Sequence, residues 1–168
     1  IGRRIGDRVA IGKAVTAALK RASGHALAHA LLAGLPVNEF ITTNYDDCFE
    51  QVCEAVGTKV ARLPYKPASG ARRWLLKMHG CVTRTDDIVL TRSDYVQYAS
   101  NRAALGGILQ ALLLTKHMLF VGFSLTDENF HRLFDNVRRN LDSASHPLYV
   151  PPCATLLSIV HTPKRKRC

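Results

Sequence analysis

Three polar residues in this sequence have side chains that suit acid–base chemistry or the positioning of a substrate. Asn44 and Asp46 lie in one cluster, and His79 lies in another. An amide donates and accepts hydrogen bonds without adding charge, so Asn44 can orient a hydroxyl group or a water molecule. Asp46 can accept a hydrogen bond, and His79 titrates near neutral pH and can take up a proton. The set fits a site that positions a hydroxyl group or a water molecule and deprotonates it.

A short apolar segment precedes each polar cluster and predicts the strand that delivers it. In chain order, residues 40–43 precede Asn44, residues 74–78 precede His79, and residues 118–121 precede Gly122 and Ser124. In open α/β sheets, ligands bind beyond the carboxyl ends of the strands, where loops turn into helices. The sequence therefore predicts an α/β fold, a Rossmann-like three-layer domain with a mostly parallel sheet. We expect the three strands to lie side by side or nearly so.

Apolar periodicity predicts the helices that pack on this sheet. Helical patterns occupy residues 9–22, 25–33, 49–56 and 102–114, and another begins after Asp127. Thr126 is the expected N-cap of that last helix, with Asp127 as a charge in its first turn. Residues 57–73 are predicted to be irregular because they contain Pro64 and Gly70, and residues 88–90 are predicted to form a short strand.

The polar clusters together resemble the sirtuin family, and more closely its sirtuin-like NAD-hydrolysing branch, found in anti-phage and other immune-type proteins. The matching pieces are Thr42-Thr43-Asn44-Tyr45-Asp46, His79-Gly80 and Gly122-Phe123-Ser124-Leu125. The resemblance implies a domain that takes NAD as its substrate and hydrolyses it to nicotinamide and ADP-ribose. The bond concerned breaks through an oxocarbenium-like state, as glycosidic bonds do.

The resemblance also implies a role for each residue of these motifs. Asn44 and His79 occupy the positions required for NAD cleavage, so they are the expected catalytic residues. The NAD-binding residues that it implies are Thr43, Asp46, Gly80, Gly122 and Ser124. A glycine lets the backbone approach a ligand, and Ser124 offers a hydroxyl group just before a helix.

Other functions remain open at the level of the sequence. A sirtuin-like domain can instead be an NAD-dependent protein deacylase, which needs an acyl-lysine peptide, or a non-catalytic module that senses NAD or ADP-ribose. Structural roles are open too, since Asn44 and Asp46 can form an Asx turn and a helix cap, and His79 can be a buried structural histidine.

Cysteine usage predicts a protein without zinc. The five cysteines are Cys48, Cys53, Cys81, Cys153 and Cys168, and no Cys-x-x-Cys pair occurs among them. Conventional sirtuins carry a four-cysteine zinc module between the His-Gly and Gly-x-Ser motifs, and nothing here matches it. We expect free thiols in a reducing compartment, and a member of the zinc-less, NAD-hydrolysing branch.

Composition limits the classes of partner. The chain has 168 residues, 47% of them hydrophobic, which is enough for one domain with a core. The net charge is +10, and residues 55–85 carry basic but no acidic side chains before Asp86. That stretch can attract phosphates, but the aromatic pattern of a nucleic-acid-binding surface is lacking. No membrane is expected as a partner; a homo-oligomer or fused effector or sensor domains are the partners considered besides NAD.

The boundaries of the domain are expected at residues 1–150, followed by a disordered basic tail over residues 151–168. The tail contains a Lys-Arg-Lys-Arg run, which is compatible with nuclear import, although a cytoplasmic location is favoured. Sirtuins begin with a strand and a glycine-rich loop that binds the NAD pyrophosphate, and residues 1–25 do not match it. We therefore expect a fragment that, by itself, binds NAD weakly and turns it over poorly.

Overall fold

A computed structural model describes residues 8–20, 25–66, 70–123, 126–142 and 157–159. Its centre is a parallel sheet of five strands in the order β2-β3-β1-β5-β4. The strands are β1 (Glu39–Thr42), β2 (Val60–Leu63), β3 (Arg73–Lys77), β4 (Leu119–Val121) and β5 (Leu157–Ile159). The helices are α1 (Arg8–Lys20), α2 (Leu27–Ala33), α3 (Cys48–Ala55), α4 (Arg92–Val96), α5 (Tyr98–Asn101), α6 (Ala103–Thr115) and α7 (Glu128–Asp142). The predicted α/β fold with a parallel sheet is confirmed.

Alternating side chains of the central strands fill a core on each face of the sheet. Phe40 and Leu75 are fully buried on one face, against α2 and α3. Their chain neighbours, Ile41 and Leu76, are buried on the other face, against α5, α6 and α7. Such alternation follows from the period of two of a strand, and a strand with both faces covered is apolar throughout. The sheet therefore forms the middle of three layers.

The three predicted strands belong to this one sheet, as expected. β1 pairs directly with β3, with Thr42 opposite Lys77. β4 is separated from β1 by β5, so the three are near neighbours rather than one uninterrupted set. The carboxyl ends of β1, β3 and β4 consequently meet at one edge of the domain, which is where the polar clusters begin.

Two local predictions are wrong. Residues 60–63, expected to be irregular, form β2, an edge strand that pairs with β3 along one side only. An edge strand tolerates a charged residue such as Arg62 and a following proline. Residues 88–90, expected to form a strand, have no ladder; the Val89 N–H donates to the carbonyl oxygen of His79 at 2.9 Å instead.

The sheet also includes residues that the sequence analysis assigned to the basic tail. β5, at residues 157–159, lies between β1 and β4, so the domain continues past residue 150. Its three residues are too few to show the period of a strand in the sequence. The segment is a strand only because it pairs with strands that are distant in the sequence. The other residues of the expected tail lie outside the described part of the chain.

A charged residue of β3 completes the end of α2. The guanidinium group of Arg73 donates to the carbonyl oxygen of Ala33 at 2.6 Å and also to that of Leu35. The last carbonyl groups of a helix lack partners within the helix, so this contact satisfies acceptors that would otherwise be unpaired. It fixes α2 beside the amino end of β3. Within the described residues, every helix is too short or too polar to cross a membrane.

Candidate functional site

His79 lies in the turn immediately after β3, and its side chain is buried. Its ring meets the edges of two tyrosine rings, Tyr95 of α4 at 5.5 Å and Tyr98 of α5 at 5.9 Å between centroids. Its Nε2 atom lies 3.2 Å from Oδ2 of Asp127. The surrounding protein therefore orients this imidazole on three sides.

Burial lowers the pKa of His79 below its ordinary value of 6.5. The negative charge of Asp127 acts in the opposite direction, and the positive charge of Arg102 lowers the pKa further. The imidazole is consequently neutral at pH 7 and able to accept a proton. Because a carboxylate faces Nε2, the proton of the neutral ring is favoured on that nitrogen, which leaves Nδ1 as the basic atom.

Asp127 has two functions in this arrangement. Its Oδ1 atom accepts a hydrogen bond from the Phe130 N–H at 2.8 Å, so Asp127 is the N-cap of α7, the position that the sequence analysis gave to Thr126. Its Oδ2 atom faces His79. The sequence suggested a helix charge here, but not the pairing, because residues 79 and 127 come together only through the fold. The sequence signal that could have indicated this pairing is an aspartate that follows the glycine loop at the end of a strand.

The turn that carries His79 is held by hydrogen bonds from Tyr98 and Arg102. The Tyr98 hydroxyl group and the Arg102 guanidinium group each donate to the Met78 carbonyl oxygen at 3.2 Å. Arg102 also contacts the Asp87 carboxylate at 2.6 Å. Sequence reasoning missed Tyr98 and Arg102, whose roles depend on the position of α5 and α6 against the end of β3.

A small apolar cavity, open to solvent at its mouth, adjoins His79. Thr43 and Asp127 are the other polar residues that line it. Its apolar wall consists of Ile41, Met78, Leu109, Met118, Phe120, Phe123 and Phe130. The flat, weakly polar ring of a ligand can pack against such a wall. The neutral imidazole of His79, at the rim of the cavity, can contact that ligand.

Asn44 and Asp46 border a second, smaller cavity on the α3 side of the sheet, together with Lys77 and Glu50. The Cys48 N–H donates to Oδ1 of Asp46 at 3.1 Å, and the Asn44 N–H donates to Oγ1 of Thr42 at 3.0 Å. Asp46 thus makes the Asx-type contact that the sequence left open as a structural role. Thr43 and His79 line one cavity, and Asn44 lines the second. A single cleft shared by Asn44 and His79 stays a prediction.

The glycines of the motifs differ in their surroundings. Gly80 has φ +98°, and a side chain there would overlap the carbonyl oxygen of Asp87 and lie 2.9 Å from Cα of Ile88. Gly122 has φ +64° and is exposed. Ser124 lies outside the described residues. Both glycines therefore adopt a left-handed backbone at the end of a strand, and Gly80 also needs the space.

Replacing Asp127 by asparagine is expected to lower the pKa of His79 further. The carboxylate raises this pKa, and asparagine keeps the helix cap while removing the charge. The imidazole should then stay neutral to a lower pH, and the acidic limb of any rate that depends on it should move in the same direction. NMR titration of the His79 ring measures the shift. Asp135→Asn, an exposed change on the same helix, is the control, and an unchanged or raised pKa in Asp127→Asn would contradict the proposed pairing.

Metal ligation finds no support among the described side chains, because no three histidine, cysteine, aspartate or glutamate residues there are grouped as ligands. Cys48, Cys53 and Cys81 are free thiols. Burial raises the pKa of Cys53 to about 11, with Arg73 opposing the change. The absence of zinc remains a prediction.

Fold and site define a parallel α/β domain with polar residues at the carboxyl ends of its strands. A family model described as SIR2-like domain matches residues 38–160, and the chain belongs to that family. The NAD(+) hydrolase ThsA of Enterococcus faecium is 35% identical over 127 residues, covering 72% of this chain and 27% of that protein. ThsA of Bacillus cereus is 34% identical over 116 residues, covering 66% and 24%. Defense-associated sirtuin 2 of Bacillus subtilis is 27% identical over 117 residues, covering 66% and 12%.

These proteins are much longer than the matched region. The chain spans about a quarter of the length of the ThsA proteins it matches and about an eighth of the defense-associated sirtuin. Membership of the SIR2-like family is thus established for the domain, and the predicted resemblance is confirmed.

Proposed function

We propose that this domain cleaves the bond between nicotinamide and ribose in NAD, releasing nicotinamide and ADP-ribose. The observation that carries the proposal is the buried imidazole of His79, which lines an apolar cavity and faces Asp127. Two of the similar proteins bear the name NAD(+) hydrolase, which supports the choice of NAD as substrate.

His79 is the proposed general base. It takes a proton from a ribose hydroxyl group or from the attacking water molecule, while the nicotinamide ring packs against the apolar side chains at the mouth of the cavity. Asp127 stabilises the imidazolium that forms and keeps the ring in one orientation. A site that excludes bulk water stabilises the oxocarbenium-like state more strongly, because the electrostatic interactions there are less screened.

Asn44 is the second proposed catalytic residue. Its neighbour Thr43 lines the His79 cavity, so the backbone of the Asn44 loop runs along the rim of the site. In this proposal Asn44 positions a ribose hydroxyl group, and Thr43, Asp46, Gly80, Gly122 and Ser124 contact the remainder of NAD. To approach His79 in the complex with NAD, the Asn44 side chain turns towards that rim.

The test is nicotinamide release from NAD by the full-length protein, followed by chromatography with and without an acetyl-lysine peptide. We expect release that does not depend on the peptide. Release only in the presence of peptide would make the protein a deacylase. NAD or ADP-ribose binding by calorimetry, with no turnover, would make it a sensing module, and either result would overturn the proposal.

A role in defence is part of the same proposal, because one similar protein is named a defense-associated sirtuin. An enzyme that consumes NAD in this way would act in the cytoplasm, as the full-length protein, with fused domains or further copies of the chain controlling it. We expect cells that express the full-length protein to resist phage, and cells that express the His79→Ala variant to be as sensitive as cells without it. Equal plating of phage on both would contradict this role.

A further inference from the structure

We propose that Lys77 is a positioning residue of this site: its ammonium group fixes the loop that carries Asn44 relative to the strand that carries His79. The inference rests on the proposed NAD cleavage. Lys77 is 1% exposed, although lysine is among the side chains least often buried. It lies two residues before His79, in β3, and opposite Thr42 of β1.

The buried ammonium group holds the Asn44 loop directly. Nζ of Lys77 donates a hydrogen bond to the carbonyl oxygen of Asp46. It also lies 3.4 Å from Oε1 of Glu50, which gives the buried charge a partner in the first turn of α3. One side chain of β3 therefore contacts both the loop after β1 and the helix that follows that loop.

The opposite side of the same loop is tied to the His79 turn. The Tyr45 hydroxyl group donates to the Val89 carbonyl oxygen at 2.7 Å, and the Tyr45 carbonyl oxygen accepts from the Val82 N–H at 2.8 Å. Burial, with the nearby charges of Tyr95 and Asp127, raises the pKa of Tyr45 to about 12, so this hydroxyl group remains a donor. Lys77 supplies the anchor on the α3 side, where Asn44 lines its cavity.

The rate of NAD cleavage should depend on the Lys77 anchor more strongly than the affinity for NAD does. A displacement of about 1 Å in a positioning group can cost about a hundredfold in rate. The rest of NAD would still meet the other binding residues, so its affinity is affected less. Loss of Lys77 should accordingly lower kcat and leave KM nearly unchanged.

The test uses the full-length protein with Lys77→Met, which has a similar length and no charge. The double variant Lys77→Met/Glu50→Gln accompanies it, because in the single variant the Glu50 carboxylate would keep only Arg62, at 3.8 Å, as its partner. The double variant remains usable if the single variant fails to fold. Val52→Ala is the control, since it shortens a buried apolar side chain of α3 that packs in the core with Phe40 and Leu75. We expect kcat for nicotinamide release to fall at least tenfold in the Lys77 variants, with KM within about twofold. Val52→Ala should retain its kcat at temperatures where it is folded.

A kcat in both Lys77 variants equal to that of Val52→Ala would overturn the proposal. Amide hydrogen exchange decides the question independently of NAD cleavage. The N–H groups of Asn44 and Cys48, which donate to the side chains of Thr42 and Asp46, should exchange at least tenfold faster in the Lys77 variants than in Val52→Ala. Equal exchange would overturn the positioning role, whereas faster exchange in a protein that releases no nicotinamide would support it and refute the proposed activity alone.

Discussion

Replacing His79 by alanine in the full-length protein is expected to lower nicotinamide release by about a hundredfold or more, the usual scale for the loss of a general base. The side chain is buried beside the cavity, is uncharged at neutral pH, and has Asp127 in place to stabilise its protonated form. Alanine removes the proton acceptor without altering the backbone. Steady-state rates, measured by chromatography of nicotinamide, give the ratio.

His25→Ala is the matched control, because His25 is exposed at the start of the described segment before α2. It should retain the wild-type rate. A His79→Ala variant that is folded and turns over NAD like wild type would remove His79 from the mechanism. Circular dichroism of both variants separates a loss of chemistry from a loss of structure.

Asn44→Ala is expected to cause a fall of similar size, about a hundredfold, if the amide positions the ribose. The reason differs from that for His79, since Asn44 lines the cavity on the α3 side. Asn101→Ala, at an exposed position at the end of α5, is the control. A wild-type rate in Asn44→Ala together with a large loss in His79→Ala would leave His79 as the catalytic residue and make the Asn44 loop a purely structural element.

Replacing Gly80 by alanine is expected to lower the free energy of unfolding by about 3 kcal/mol or more, from backbone strain together with steric overlap. The residue has φ +98°, and a Cβ atom there would overlap the Asp87 carbonyl oxygen. Relief of that overlap would displace Asp87, whose carboxylate contacts Arg102 at 2.6 Å. Urea unfolding followed by circular dichroism measures the change.

Gly57 offers a control that separates the two causes. It also has a positive φ, +71°, but a Cβ atom there would have no heavy atom within 4 Å. Gly57→Ala should cost only the backbone strain, about 1 kcal/mol. If the two variants unfold at the same urea concentration, the close packing of Gly80 against residues 87 and 88 contributes nothing to stability.

The sequence by itself determined the layered α/β fold. Uninterrupted apolar residues such as Leu75 and Leu76 indicate a strand covered on both faces, and the helical period after Asp47 indicates what covers it. These signals are local, because side-chain direction depends on the backbone period alone. The motifs at the ends of these strands also gave the family, which the match to the SIR2-like domain confirms.

Short elements were beyond the sequence for a physical reason. β2 and β5 have four and three residues, too few to show a period, and each is a strand only because a neighbouring strand supplies its hydrogen bonds. Residues 88–90 show the converse, since their apolar composition suits a strand but Val89 bonds to the His79 turn. Pairing between residues distant in the sequence decided all three.

The environment of the candidate site was decided by the tertiary structure. The sequence placed Asn44 and His79 at strand ends, but it could not show that Asp127 faces the imidazole. It also could not show that Lys77 is buried with its ammonium group on the Asn44 loop. Residue type and spacing determine which chemical groups reach the edge of the sheet. Burial and charge at that edge come from helices that pack there from elsewhere in the chain, and these set the pKa of His79 and the orientation of its ring.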